Sequence, residues 1–154
     1  MTGRPVTDND VVITRSFRAP RPVVWKFWTD PELLAQWFGP TQLSVPRETV
    51  TVELEVGGRW QLAMQTADGE RFPMLGVITE LIPEELLVIS ASAETDGLGD
   101  LDSVTLRVQF SDHGELTRVT LHQGPFTAEQ RTATETGWEQ SFVTQDALYA
   151  QGIS

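Results

Sequence analysis

The chain has 154 residues, 40% of them hydrophobic, and eleven basic residues against twenty-two acidic ones give a formal net charge of −11. This length and composition suit one domain, and the negative charge disfavours nucleic acid and anionic membrane surfaces as partners. The absence of cysteine excludes disulfides, thiolate metal sites and cysteine nucleophiles.

The N-terminal end is polar and carries no apolar signal core. We expect residues 1–10 to form a flexible segment and residues 11–151 to form a single domain. Because no apolar run approaches the roughly 20 residues that span a bilayer, we predict a cytoplasmic protein. A homodimer is left open.

The first elements are one strand and two short helices. Alternation of Val11, Ile13 and Phe17 with polar residues predicts a half-buried strand over residues 11–18. Prolines after Ala19 and after Asp30 each open a short helix. The aromatic residues between positions 25 and 38 recur at helical spacing, which favours core packing over an aromatic binding box.

From Arg47 onward the apolar period changes to two, and turn residues follow at regular intervals. The pattern predicts six strands in an antiparallel meander. Its five turns are at Gly57-Gly58, Asp68-Gly69, Pro83-Glu84-Glu85, Asp96 to Asp100 and Asp112-His113-Gly114. Residues 71–82 carry apolar side chains on both faces, so the inward face of that strand is not determined.

A proline-free stretch from Thr127 to Ala150 predicts one long terminal helix, opened by a capping box between Thr127 and Gln130. Its inward stripe combines aromatic, small and polar residues, among them Trp138, Ser141, Phe142 and Gln145. Such a helix is the natural cover for a sheet with one apolar face. Gly137 within it suggests that a strand or an aromatic ring approaches the backbone closely.

Several motifs in this order point to one family. They are Ala19 to Pro40, Gly57-Gly58, Asp68-Gly69 with Pro73 to Gly76, Pro83 to Leu87, and Gly137 to Ser141. The chain resembles single-domain, bacterial-type proteins similar to the C-terminal part of the activator of heat-shock-protein-90 ATPase. These proteins belong to the START and Bet v 1-like (SRPBCC) superfamily.

The resemblance implies an α+β helix-grip fold. In it a curved seven-stranded antiparallel sheet wraps a long C-terminal helix, with two short helices between strands 1 and 2. It also implies an internal cavity that takes hydrophobic molecules, in which some superfamily members catalyse cyclisation, dehydration or hydrolysis. Two departures matter: the chaperone activators' additional N-terminal domain is not in this sequence, and Gln145 replaces a usual leucine.

The sequence offers no recognisable catalytic or metal constellation. His113 lies in a turn and His122 alternates opposite Val119 and Leu121, so both favour solvated or structural roles. Nucleophile elbows, zinc spacings and phosphate-binding loops are not present, and we expect no metal and no cofactor. Glu80, which interrupts an apolar strand, is a weak catalytic candidate if it is buried.

We therefore predict binding of a small hydrophobic or aromatic molecule in a cavity between sheet and helix. The predicted ligand-binding residues are Trp60, Leu62, Met64, Met74, Val77, Ser90, Val104, Val108, Gln123, Trp138, Ser141, Phe142 and Gln145. Gln145 needs a partner, such as Gln123, Ser90, water or a ligand, if it is buried. One alternative is a small cyclase, dehydratase or hydrolase, and another is a chaperone ATPase regulator or stress-response interaction protein.

Overall fold

The computed structural model describes residues 10–95 and 99–152. In chain order the elements are β1 (Val11–Phe17), α1 (Arg21–Thr29), α2 (Pro31–Trp37), a 3-10 turn (Arg47–Thr49), β2 (Thr51–Val52), β3 (Trp60–Gln65), β4 (Arg71–Ile82), β5 (Leu86–Thr95), β6 (Gly99–His113), β7 (Leu116–Gly124) and α3 (Ala128–Ala150).

Two sequence predictions fall wholly or partly outside the described residues. These are the flexible segment, of which only residue 10 is described, and the turn from Asp96 to Asp100, whose residues 96–98 are not described.

Asp10 is buried, and its carboxylate lies 3.0 Å from Nε2 of His122 in β7. Asp10 therefore belongs to the folded domain rather than to a flexible segment.

The seven strands form one antiparallel sheet in the order β1-β7-β6-β5-β4-β3-β2. Strands β2 to β7 are a meander, and β1 pairs with the last of them, from Val11 opposite Gln123 to Phe17 opposite Thr117. The two short helices follow β1, and α3 packs on the sheet. This is the predicted helix-grip α+β fold.

Local sequence signals set the helix starts. Asp30 caps α2 by accepting a hydrogen bond from the backbone N–H of Glu32 at 2.9 Å, and Pro31 occupies the first turn. At the start of α3, the Thr127 hydroxyl accepts from the Gln130 backbone while the Gln130 side chain accepts from the Thr127 backbone. The predicted capping box is confirmed.

The edge of the sheet near β2 differs from prediction. The alternation of Val50, Val52 and Leu54 predicts a full strand, but β2 has only two residues and Leu54 is 46% exposed. The chain leaves the sheet there because a turn reaches across to β4, where Gly57 and Gly58 exchange backbone hydrogen bonds with Ile78. A strand pattern cannot reveal this competition for backbone partners.

The aromatic residues of α1 and α2 lie in the core, as their spacing predicts. Trp25, Phe27, Trp28, Trp37 and Phe38 are all buried. The Trp37 indole also bonds to backbone: its Nε1 donates to the Phe27 carbonyl at 2.8 Å. The two helices thus close the end of the space between sheet and α3.

Candidate functional site

The candidate site is the interior between the inner face of the sheet and α3. Most of the predicted ligand-binding residues meet there and are buried or half-buried: Trp60, Leu62, Met64, Met74, Val104, Val108, Gln123, Trp138, Ser141, Phe142 and Gln145. The strands contribute alternate residues, so the inner face of the sheet is continuous across several strands.

Two predicted residues are corrected by the structure. Val77 and Ser90 are exposed and pair directly with each other across β4 and β5, whereas the neighbouring pair Ile78 and Ile89 is fully buried. Strict alternation along a strand therefore puts Val77 and Ser90 on the outer face. The inward residues of this part of β4 are Met74, Gly76 and Ile78.

Glu80 is also outside the interior. A β-bulge between Ile78 and Glu80 shifts the register, and Glu80 pairs with Val88 while Leu81 pairs with the fully buried Leu87. Glu80 is partly exposed on the outer face. The bulge is the physical reason that a carboxylate can interrupt an apolar strand without being buried in the core, and the weak catalytic candidate is thereby displaced from the site.

At the Trp138 end the interior is occupied by aromatic rings in mutual contact. The Trp138 ring centroid lies 5.5 Å from Trp28, 5.4 Å from Phe38 and 5.6 Å from Phe142. Ring separations of this size are close packing. This part of the predicted binding wall is protein core.

Two polar side chains in the same region, Gln123 and Ser141, are paired. Gln123 Oε1 accepts from Trp138 Nε1 at 2.7 Å. The Ser141 hydroxyl accepts from the Gly39 backbone N–H at 3.0 Å and donates to the Gly137 carbonyl at 3.0 Å. Ser141 therefore ties α3 to the loop that follows α2.

Gln145 is different, because one half of its amide lacks a partner. The side chain is fully buried, and Oε1 accepts a hydrogen bond from the Tyr149 hydroxyl at 2.5 Å. Nε2 has no hydrogen-bond partner among the described residues. An unpaired buried amide destabilises a fold by about 1–3 kcal/mol. The buried Nε2 group of Gln145 therefore lowers the stability of the folded state.

Two residues near this site, Tyr149 and Trp28, are not among the predicted ligand-binding residues. Tyr149 closes the Gln145 end: its ring centroid lies 4.4 Å from that of Phe27 and 5.7 Å from that of Phe17. Burial, and secondly the Asp146 carboxylate, raise the pKa of Tyr149 well above its ordinary range. Trp28 Nε1 is a second buried donor with no partner among the described residues. The spacing of Gln145 and Tyr149, at positions i and i+4 of one helix, is the sequence feature that indicates their contact.

An open cleft lies outside Tyr149, between β1 and the last turns of α3. It has a volume of about 470 Å³ and is lined by Ser16, Arg18, Asp146, Tyr149 and Ala150. Arg15 Nη2 pairs with Asp146 Oδ2 at 2.5 Å and joins the strand to the helix here. Tyr149 is therefore shared between the cleft and the buried amide.

The described residues contain no cluster of three His, Asp or Glu side chains that could hold a metal ion. None of the described helices combines the length and apolar character needed to cross a membrane. Nδ1 of His113 lies 2.9 Å from the Arg118 guanidinium, and His122 lies on the outer face with Asp10.

The sequence matches the family model of activator of Hsp90 ATPase homolog 1-like proteins over residues 18–148. The chain belongs to this family. The match spans most of the domain, including both short helices and nearly all of α3, and it agrees with the SRPBCC-type helix grip. A search of functionally curated proteins found no match.

Solved structures of bacterial proteins share the fold. Protein CV1439 from Chromobacterium violaceum is 22% identical, with a TM-score of 0.80 over 92% of this chain and 97% of its own. Protein NE0264 from Nitrosomonas europaea is 26% identical, with a TM-score of 0.78 over 97% of this chain and 99% of its own. The AHSA1 protein SPO3351 from Silicibacter pomeroyi is 22% identical, with a TM-score of 0.80 over 93% of this chain and 99% of its own. These solved structures support the architecture.

Proposed function

We propose that this family member binds a small, mainly apolar or aromatic molecule at the Gln145 end of the space between sheet and α3. The observation that carries the proposal is the fully buried Nε2 of Gln145, which has no hydrogen-bond partner among the described residues. A ligand that presents a carbonyl or other acceptor oxygen would satisfy this donor.

The surroundings of Gln145 fit an apolar ligand. Phe17, Phe27 and Phe142 are buried aromatic residues, and Tyr149 packs against the first two. A single polar donor among aromatic walls orients a ligand, while apolar contact supplies most of the affinity. Rings also meet at the Gln145 end, where the centroids of Phe27 and Tyr149 lie 4.4 Å apart and those of Phe17 and Phe142 lie 5.4 Å apart. A ligand therefore has to displace the Tyr149 ring to reach the amide.

Binding is preferred over catalysis because the structure removes the proposed acid. Glu80 lies on the outer face of the sheet, and the polar groups described deep in the interior are amides, hydroxyls and indole N–H groups. The cytoplasmic location remains a prediction from the sequence.

NMR spectroscopy of the side-chain amide groups provides a direct test. We would titrate labelled protein with 1-acetylnaphthalene, and with 1-ethylnaphthalene as a matched ligand without an acceptor oxygen. The ketone should saturably shift the side-chain NH₂ signals of Gln145, and it should bind about fivefold to tenfold more tightly than the hydrocarbon, because only the ketone pairs the buried donor. The side-chain amide of Gln123, held by Trp138, is the internal control.

The variant Gln145→Leu should bind the two compounds equally. If the ketone leaves the Gln145 signals unshifted at saturating concentration, or if Gln145→Leu keeps the preference for the ketone, the proposed site is wrong.

A further inference from the structure

The cleft between β1 and the end of α3 carries a charge that is unusual for this protein. Arg18 lines it and is exposed, and it forms no ion pair with any described carboxylate. Asp146, the acidic residue in the lining, is already paired with Arg15 at 2.5 Å. The cleft therefore keeps an uncompensated guanidinium, whereas the whole chain has a net charge of −11.

A third arginine lies on the neighbouring strand, on the outer face of the sheet. Arg118 in β7 lies directly opposite Ser16, another lining residue, in the strand register. Its guanidinium contacts the ring nitrogens of His113 rather than a carboxylate. Arg15 and Arg18 therefore place two guanidinium groups near one aspartate at this edge of the sheet, a distribution that attracts a small anion.

The cleft is also next to the buried amide. Tyr149 lines it with one part of its side chain, and its hydroxyl holds Gln145 Oε1 at 2.5 Å. Tyr149 therefore contacts both the cleft and the Gln145 amide. A rotation of Tyr149 about its side-chain bonds would move its ring away from Phe17 and Phe27 and open the cleft toward Gln145.

We infer that the cleft is the polar half of the binding site and that the physiological ligand is an apolar or aromatic carboxylic acid. Its carboxylate lies against Arg18, and its apolar body passes Tyr149 to reach Gln145. A planar guanidinium pairs well with a carboxylate in a two-bond geometry. The inference rests on the proposed function, to which it adds the ligand's charge and its route of entry.

The test compares 6-acetyl-2-naphthoate with its methyl ester by isothermal titration calorimetry at low ionic strength. Both probes carry the ketone for Gln145, and only the first carries a charge. The acid should bind wild-type protein about threefold to fivefold more tightly than the ester, as expected for an ion pair at a partly exposed site. Added salt should reduce this preference.

The variant Arg18→Gln should lose the preference for the acid and keep its affinity for the ester. Arg59→Gln is the matched control, because Arg59 is exposed and pairs with Glu53 at the start of β3, far along the sheet order from β1. This control should behave as wild type.

The two proposals fail in different ways. Equal binding of acid and ester by wild type, or an unchanged preference in Arg18→Gln, would overturn the carboxylate inference and leave the Gln145 site intact. If neither probe binds wild-type protein, both proposals are overturned.

Discussion

The partner of Gln145 is the most informative feature at the scale of single residues. Of the partners expected from the sequence, Ser90 lies on the outer face and Gln123 is held by Trp138. Tyr149 satisfies only the oxygen of the amide. The nitrogen has no partner among the described residues, and the proposed binding site depends on this one atom.

Tyr149 also gives a pH-dependent signal of its own. Its pKa is raised in the folded protein, mainly by burial, from an ordinary value of 10.0. Below pH 10 the phenol is protonated whether the chain is folded or unfolded, so stability does not depend on it. Above pH 10 only the unfolded state releases the proton, and stability must fall as pH rises.

We predict that folded protein shows no phenolate absorbance at pH values somewhat above 10, and that absorbance appears only as the chain unfolds. The chain has one tyrosine, so the ultraviolet titration reports Tyr149 alone. In Tyr149→Phe the alkaline loss of stability should be smaller, as measured by urea unfolding across the same pH range. Phenolate formation near pH 10 in the folded state would show that Tyr149 is not buried as described.

At the scale of elements, α3 follows its sequence closely except at Gly137. The helix begins at its capping box and buries the expected stripe of Trp138, Ser141, Phe142 and Gln145. The predicted close approach of a strand or an aromatic ring to Gly137 is wrong. A Cβ at that position would meet only Pro40 Cγ, at 3.8 Å, which is ordinary contact.

Gly137→Ala should therefore stabilise the protein by about 0.5–1 kcal/mol, because glycine in a helix interior loses more backbone entropy than alanine. Urea denaturation at neutral pH measures the change. Gly76→Ala in β4 is the contrasting variant: its Cβ would lie 2.6 Å from both Ile89 Cγ2 and the Trp60 carbonyl oxygen, so it should destabilise. A loss of stability in Gly137→Ala would reveal a backbone constraint at that turn of α3.

At the scale of the whole molecule, charge and topology act together. The sheet brings β1 beside β7, so the first strand borders the end of the last helix, and Arg15 reaches Asp146 across 131 positions of sequence. This closure gathers arginines at one edge of a chain whose net charge is −11. Self-repulsion of the remaining acidic surface opposes the compact state.

We predict that the melting temperature rises by about 2 to 4 °C, corresponding to about 1 kcal/mol, when sodium chloride increases from about 10 mM to 150 mM. Scanning calorimetry measures this shift. Near the isoelectric point, at about pH 4.5, the same salt change should have little effect. A melting temperature that falls with salt at neutral pH would mean that attractive ion pairs outweigh the repulsion.

The sequence by itself determined the elements whose signals are local: the capping box of α3, the Asp30 cap, the turns and the alternation of most strands. It also carried the family motifs and hence the helix grip. Tertiary structure decided the features that depend on competition between distant groups. Strand register and a bulge put Val77, Ser90 and Glu80 outside, and the Gly57-Gly58 turn shortened β2.

The same distinction applies to the candidate site. Periodicity could place Gln145 on the inward stripe of α3, but whether its amide is satisfied depends on atoms from other elements and on side-chain geometry. The cleft beside Arg18 exists only because β1, at the start of the chain, lies against the final turns of α3. Contacts between chain ends are set by packing of the whole fold, and no local pattern records them.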